Sequence, residues 1–467
     1  MTDPTALTLA EASRAIARRD LSPHELTRAC LERIERLNPR LNAFVLVTAE
    51  RALQDAARAE QELLAGHYRG PLHGVPVAFK DLYDTAGVET AAGSAVLRGR
   101  VPSSDATVVR RLLDAGAIML GKTNTHEFAW GTTTNNPHTG PTRNPWGHDR
   151  IPGGSSGGSG AAVAASLCPV ALGTDTGGSI RIPAALCGCV GLKPTYGRVS
   201  RAGIVPMSWR FDHAGPLART VEDVAIVLDI ISGYDPADFA TVPLPQVDHR
   251  QALIPDIRGL RIGVPRDQFF SLLDPEVIVA VEEALEVLRS LGAIVEDIDP
   301  GFTREDVVSA WRLVNVEGRL HHAPYLEKNP EAYSEELRNI LLQPLPEPLD
   351  LSAAYLASYR VAEALRHTLA QVDLLVTPTT MRPASLIGED PVEVEGVQLS
   401  TGAAFASLTM PFNIGGIPAI SIPCGFSSEG LPIGLQLAAR PFDEATLLRA
   451  AFAYECATDW HRKAPTL

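Results

Sequence analysis

Val108-Val109-Arg110-Arg111-Leu112-Leu113, followed by Asp114-Ala115-Gly116-Ala117-Ile118-Met119-Leu120, reads as a helix, a turn and a buried strand. The apolar residues of the first half recur at helical spacing, Gly116 punctuates the chain, and the run after it is short and apolar throughout. Upstream, Gly74-Val75-Pro76-Val77-Ala78-Phe79 is another short apolar run, preceded by amphipathic patterns over Thr8 to Ile34 and Ala49 to Leu64 that predict an outer helical layer. Downstream, a helix at Gly158 to Ala165 precedes a strand at Val170 to Leu172, and Arg261 to Val264 reads as a strand. Pro275 to Leu291 follows as a helix and Ile294 to Ile298 as a strand. Late strands are expected at Leu374 to Thr377, Ala419 to Ile422 and Ile433 to Leu437, with a closing helix over Phe442 to Glu455. Such alternation predicts an α/β fold. Thr303 to Leu342 and Leu351 to Ala370 read as helical but carry more charge and more aromatics, which suits a cap over a cleft.

No Pro/Gly/Ser linker or charge block divides the 467 residues, so one domain spanning 1–467 is expected, with residues 65–230 as its chemical core and 300–370 as a variable cap. A hydrophobic content of 45% with 21% charged residues is enough to bury a sizeable core and argues against extended disorder. The formal charge of −14 is not offset by any basic stripe, which excludes nucleic acid as a direct partner at this level of reading. Met1 to Leu9 lack a basic and an apolar leader region, and no apolar run reaches the length of a membrane span. A soluble, cytoplasmic protein without membrane contact is therefore expected. The six cysteines lie mostly in apolar surroundings and read as buried free thiols, Cys187, Cys189 and Cys424 among them.

Some motifs mislead. Gly116 to Thr123 satisfies the letter of a phosphate loop, but Ala117-Ile118-Met119-Leu120 is the strand itself and leaves no free amides to wrap a phosphate. Gly158-Ser159-Gly160 has Val163 where a dinucleotide fingerprint needs its third glycine. His24-Glu25 and His126-Glu127 lack a second histidine at metal spacing, so no metal is expected. His321-His322 reads as a solvated or partly buried surface pair.

Three segments carry chemistry: Gly74 to Asp81, Gly153-Gly154-Ser155-Ser156-Gly157-Gly158-Ser159-Gly160, and Gly173-Thr174-Asp175-Thr176-Gly177-Gly178-Ser179-Ile180-Arg181-Ile182-Pro183. A hydroxyl after two glycines and before an apolar helix start lets several backbone N–H groups converge on one point, as an oxyanion requires; the same residues also describe a tight turn and helix cap. Ser179 is thus a nucleophile candidate. No Gly-x-Ser-x-Gly elbow surrounds it and no histidine partner is indicated, whereas Lys80 ends an apolar run that could hold its amine neutral. An ordinary ion pair from Lys80 to Asp81 or Asp84 is the competing description, as a flexible Gly/Ser loop is for Ser155.

Taken in order, these segments resemble the amidase signature family, and the likeness runs from the opening helices to Ile417 to Gly425 and Leu431 to Gln436. The resemblance implies an α/β fold: a single large domain with a central twisted mixed β-sheet sandwiched between layers of helices. It further implies that Ser179 attacks, that Ser155, held by a cis peptide, relays the proton, and that Lys80 is the base. Amides of Thr176, Gly177, Gly178 and Ser179 would hold the oxyanion, braced by Asp175 and Arg181. No cofactor is implied. Ala129, Trp130 and Gly131 would line the substrate pocket, and Val199 to Phe211, with Pro206, Met207 and Trp209, would form an apolar rim. The expected activity is hydrolysis of small apolar or aryl amides, extending to esters and carbamates (urethanes), by a monomer or homodimer. The alternatives are the glutaminase subunit of a tRNA-dependent amidotransferase and a silent binding protein on the same scaffold. Ala406 stands where that glutaminase's acidic residue for the glutamine amino group aligns, while Arg366 aligns with a carboxylate-binding arginine.

Overall fold

The computed structural model describes residues 3–467, so Met1 and Thr2, the first two residues of the Met1 to Leu9 stretch, lie outside the described residues. Its centre is an eleven-stranded sheet. In chain order the strands are β1 (Phe44–Val47), β2 (Pro76–Lys80), β3 (Ile118–Thr123), β4 (Val170–Asp175), β5 (Val190–Lys193), β6 (His213–Ala218), β7 (Arg261–Val264), β8 (Ile294–Asp297), β9 (Leu374–Pro378), β10 (Ala419–Phe426) and β11 (Pro432–Ala439). In space they run β1-β3-β2-β4-β6-β5-β10-β11-β9-β7-β8. Parallel pairs β2–β3 and β2–β4 toward one end, and β7–β9 and β7–β8 at the other, flank a run of antiparallel ones, so the sheet is mixed, as the resemblance implies. Every residue of β2, β3, β4, β5 and β6 is buried, because helices cover both faces there.

The helices read from periodicity are present as Leu9–Ala17, Pro23–Leu41, Ala49–Leu64 and Thr107–Asp114, and each begins where its capping chemistry or apolar stripe does. Thr8, for example, accepts from the Glu11 amide while Glu11 reaches back to the Thr8 amide. Gly121-Lys122-Thr123 ends β3 with the Lys122 amine buried against Thr90 Oγ1 and the Tyr83 carbonyl, which confirms that the phosphate-loop pattern is a strand. A second apolar core gathers under the helices Arg304–Lys328 and Pro348–Gln371, distinct from the main core on the sheet. His322 belongs to it. Fully buried, it packs edge-on against Phe128 and meets the Tyr333 hydroxyl at 2.9 Å, which corrects the surface reading for His322, while His321 is half-buried. The cysteines are free and all buried except Cys456, which is exposed. Burial pushes the thiols of Cys187, Cys189 and Cys424 up, as packing residues require. Among the described residues no helix is long and apolar enough to cross a membrane.

Candidate active site

Strands β2 and β4 are parallel neighbours in register, Val77 with Val170 and Phe79 with Leu172, so their carboxyl ends lie side by side. That geometry brings Lys80, the last residue of β2, to Thr174 on β4. Its amine lies 2.8 Å from Thr174 Oγ1 and 2.7 Å from Ser155 Oγ. The ion pair that sequence alone leaves open is absent: Asp84 binds Arg100 at 2.7 Å, and Asp81 accepts from the amides of Ala91 and Gly93. Complete burial lowers the Lys80 pKa to about 7 against the opposing pull of Asp212 and Asp175, so the neutral amine is well populated near pH 7.

Ser155 sits on the loop that enters the helix Gly157–Ala164, after a cis Gly154-Ser155 peptide. Its carbonyl accepts from the Thr125 hydroxyl and from the His126 amide, so the loop is pinned on a side remote from its hydroxyl. The density of glycine here follows from close approach: a Cβ on Gly158 would sit 2.4 Å from the Asn124 nitrogen, and one on Gly154 2.7 Å from that of Thr133. The loop is a packed object rather than a flexible tether. Ser179 lies between β4 and the helix Arg181–Cys187, and the Ser156 amide donates to its carbonyl at 3.2 Å. That contact ties the two serine segments together, although no hydrogen bond joins the Ser155 and Ser179 hydroxyls to one another.

Asp175 and Arg181 are both wholly buried and form a bracket beneath the nucleophile loop. Arg181 donates from Nη2 and Nε to the carboxylate at 2.9 and 3.0 Å, and from Nη1 to Gln436 Oε1 and the Thr409 carbonyl. The paired guanidinium holds the Asp175 carboxyl well below the usual carboxylate range despite burial. Asp175 in turn accepts from the amides of Gly178 at 2.8 Å and Ile180 at 3.1 Å, which fixes the curvature of the loop. This bears on the expected oxyanion set. The Gly178 amide is committed to Asp175, leaving Thr176, Gly177 and Ser179, whose amides make no hydrogen bond to the described residues outside the sheet ladder. Gly178 has φ +131°, and a Cβ there would collide with Thr409 Oγ1 at 2.2 Å. Its requirement for glycine is therefore one of shape, not of donation.

Ser179, 7% exposed, opens into a cleft of about 610 Å³, a size suited to a small ligand. Ala129, Trp130, Gly131 and Met207 all line it, together with Trp311 and Met410, which sequence reasoning missed because they lie far along the chain. Met207 is positioned by the carboxyl of Asp212, which accepts from the amides of Met207 and Ser208 and from Thr176 Oγ1 at 2.6 Å. Pro206 and Trp209 face a separate small cavity beside Arg201, so only part of the expected rim reaches this cleft. Arg366 lies elsewhere too, in another cavity with Arg360 and His367, and pairs with Glu363. Ala406 does line the cleft. A further lining residue, His126, entered sequence reasoning only as a failed metal motif; burial and the nearby Lys80 lower its pKa to about 4, so its ring is neutral at pH 7.

The family model described as Amidase matches residues 25–448. The A-type subunit of the glutamyl-tRNA(Gln) amidotransferase of Chloroflexus aurantiacus is 44% identical over 491 aligned residues, covering 100% of each chain. Among solved structures, a chain from a vestigial protein complex bearing on the origins of an s-triazine catabolic enzyme superposes with a TM-score of 0.90 at 36% identity, over 96% of this chain and 98% of that one. A bacterial aryl acylamidase of the amidase signature enzymes superposes with a TM-score of 0.89 at 28% identity, covering 98% of each chain. These relatives overturn one expectation, that of a monomer or homodimer meeting only small-molecule amides, esters or carbamates and no nucleic acid. The full-length relative is by name one subunit of an enzyme acting on a charged tRNA. A net charge of −14 describes direct attraction between this chain and phosphates, and is silent about what further subunits would bring.

Proposed function

Since the chain belongs to the amidase family and is thereby a hydrolase acting on C–N bonds, we propose that Ser179 attacks a carboxamide carbonyl with Lys80 as base and Ser155 as relay. The observation that carries this is a fully buried lysine with its pKa near 7, 2.7 Å from the Ser155 hydroxyl. Neutral Lys80 takes the Ser155 proton as Ser155 takes that of Ser179, and the Ser179 oxygen bonds to the carbonyl carbon. Charge gathers on the carbonyl oxygen, toward which the free amides of Thr176, Gly177 and Ser179 are available. The proton then returns along the same path to the nitrogen, the C–N bond breaks, and water releases the acyl group from Ser179. These groups also count against a silent scaffold, which would have no use for a buried lysine whose pKa is lowered to about 7.

For the setting of this chemistry, the two-way full-length match to one component of an amidotransferase favours a nitrogen-releasing role in a similar assembly, with glutamine as the amide. A second reading, a hydrolase of small apolar or aryl amides reaching to esters and carbamates, is favoured by one specific observation. No lysine or arginine lines the cleft, Arg366 is in another cavity, and Ala406 presents a methyl group. One panel separates the two. Ammonia release from glutamine that rises on adding the other amidotransferase subunits supports the first; turnover of anilides by the chain alone, with glutamine untouched, supports the second. Absence of turnover on every amide, in either setting, would overturn the proposed chemistry itself.

A further inference from the structure

The charged residues lining the cleft are Glu336, Glu389 and Asp390, all of one sign. Two of them are engaged: Glu389 accepts from the Leu386 amide at 2.9 Å with Arg382 3.5 Å away, and Asp390 accepts from the Thr401 amide at 3.0 Å. Glu336 is not. The arginine on its own helix, Arg338, pairs with Glu331 instead, and the nearest basic atom to the Glu336 carboxylate is His126 Nε2 at 3.9 Å, too far for a hydrogen bond.

His126 is an independent sign that something belongs in that gap. It is 5% exposed, its Nδ1 has Thr133 Oγ1 at 3.4 Å, and its Nε2 makes no hydrogen bond while the ring faces the cleft. The ring is immobilised: a Cβ on Gly131 would lie 2.3 to 2.5 Å from three of its atoms, and the His126 amide is bonded to the Ser155 carbonyl. In the tautomer that carries its proton on Nδ1, with Thr133 Oγ1 as the acceptor, the neutral imidazole presents Nε2 as an acceptor opposite a carboxylate that is also an acceptor. Two acceptors facing each other across 3.9 Å have room for a donor between or beside them.

We propose that Glu336 and His126 together receive a protonated amine carried by the amide substrate, so that the cleft selects ammonium-bearing amides over neutral ones and over those ending in a carboxylate. The inference rests on the reading that Ser179 cleaves amides in this cleft. Glutamine would offer its α-ammonium to this place but would also bring an α-carboxylate for which the cleft lining holds no cation, so a simpler aminoalkyl amide meets the site more fully. An amide ending in a carboxylate would meet three anions and no cation.

The test is a series of ω-aminoalkanamides of increasing chain length, compared with the neutral alkanamide and the ω-carboxyalkanamide of equal length, read as kcat/KM on the full chain with whatever subunits support turnover. The best amino substrate should exceed its neutral counterpart by about fivefold or more, the carboxylate should be the poorest, and the advantage should shrink as salt is raised. Glu336→Gln, on an exposed side chain whose loss does not endanger folding, should reduce the amino-to-neutral ratio toward unity, and His126→Phe should reduce it as well. Equal turnover of amino and neutral substrates, or a ratio unmoved by Glu336→Gln, overturns the inference while leaving Ser179 chemistry intact. Absence of turnover with all three substrate classes, including neutral amides, would instead count against the Ser179 reading.

Discussion

At the residue scale, the behaviour of the site turns on one amine. A base with its pKa near 7 is protonated below that value, so amide turnover should rise as pH increases through about 7 and level off above it. Replacing Lys80 with alanine should lower kcat by about 10²-fold or more and remove that limb of the pH profile. Stability carries the same signature. Between about 7 and the ordinary lysine value, the unfolded chain holds a proton that the folded chain lacks, so Lys80 makes stability rise with pH in that window. Thermal melts of Lys80→Met across that window should show a shallower dependence than the parent protein. Lys80, Ser155 and Ser179 were legible through the ordered likeness of their three segments to the amidase signature family, since each alone also reads as an ion pair, a flexible loop or a tight turn. The commitment of the Gly178 amide was not, since no spacing rule tells which loop N–H a buried Asp175 will claim.

At the element scale, the bracket under the nucleophile and the middle of the sheet are where single changes should be felt most. Arg181→Met leaves the carboxylate of Asp175 buried without its counter-charge, a loss of about 3–5 kcal/mol that chemical denaturation would register. Arg181→Lys should recover little, because the guanidinium binds Asp175, Thr409 and Gln436 at once. Strand β6 was, with β1 and β5, among the strands that sequence hid. His213-Ala214-Gly215-Pro216-Leu217-Ala218 contains a glycine and a proline that argue against an interior strand, yet it lies between β4 and β5. The glycine is there because a Cβ at residue 215 would come 2.2 Å from the Leu192 carbonyl oxygen. Gly215→Ala should therefore destabilise the fold by about 1–3 kcal/mol or more, visible as a lowered denaturation midpoint at unchanged slope. By contrast β3 was readable from the outset, since Ile118 to Leu120 is apolar throughout, as a strand covered on both faces must be.

At the scale of the whole molecule, sequence patterning foretold a single α/β domain, the family resemblance implied its mixed sheet, and neither fixed its company. Composition describes how one chain meets water; the glutaminase subunit of an amidotransferase stood among the alternatives that the family resemblance offered, and comparison across the full length brought it forward. Residues 304–371, which place Trp311 over the cleft, join distant parts of the chain around the nucleophile; the periodicity of their helices was legible, but their tertiary placement was not. Co-purification of this chain with the remaining subunits of an amidotransferase, and stimulation of glutamine hydrolysis by them, is the expected outcome if the assembly reading holds. The most direct test of the central claim is covalent: treat the folded protein with a fluorophosphonate and locate the added mass by peptide sequencing while varying pH. Lys80 acting through Ser155 predicts label on Ser179 alone, at a rate that climbs through about pH 7 and loses that dependence in Lys80→Ala. Label on another residue, or labelling of Ser179 at a rate indifferent to Lys80, would contradict it.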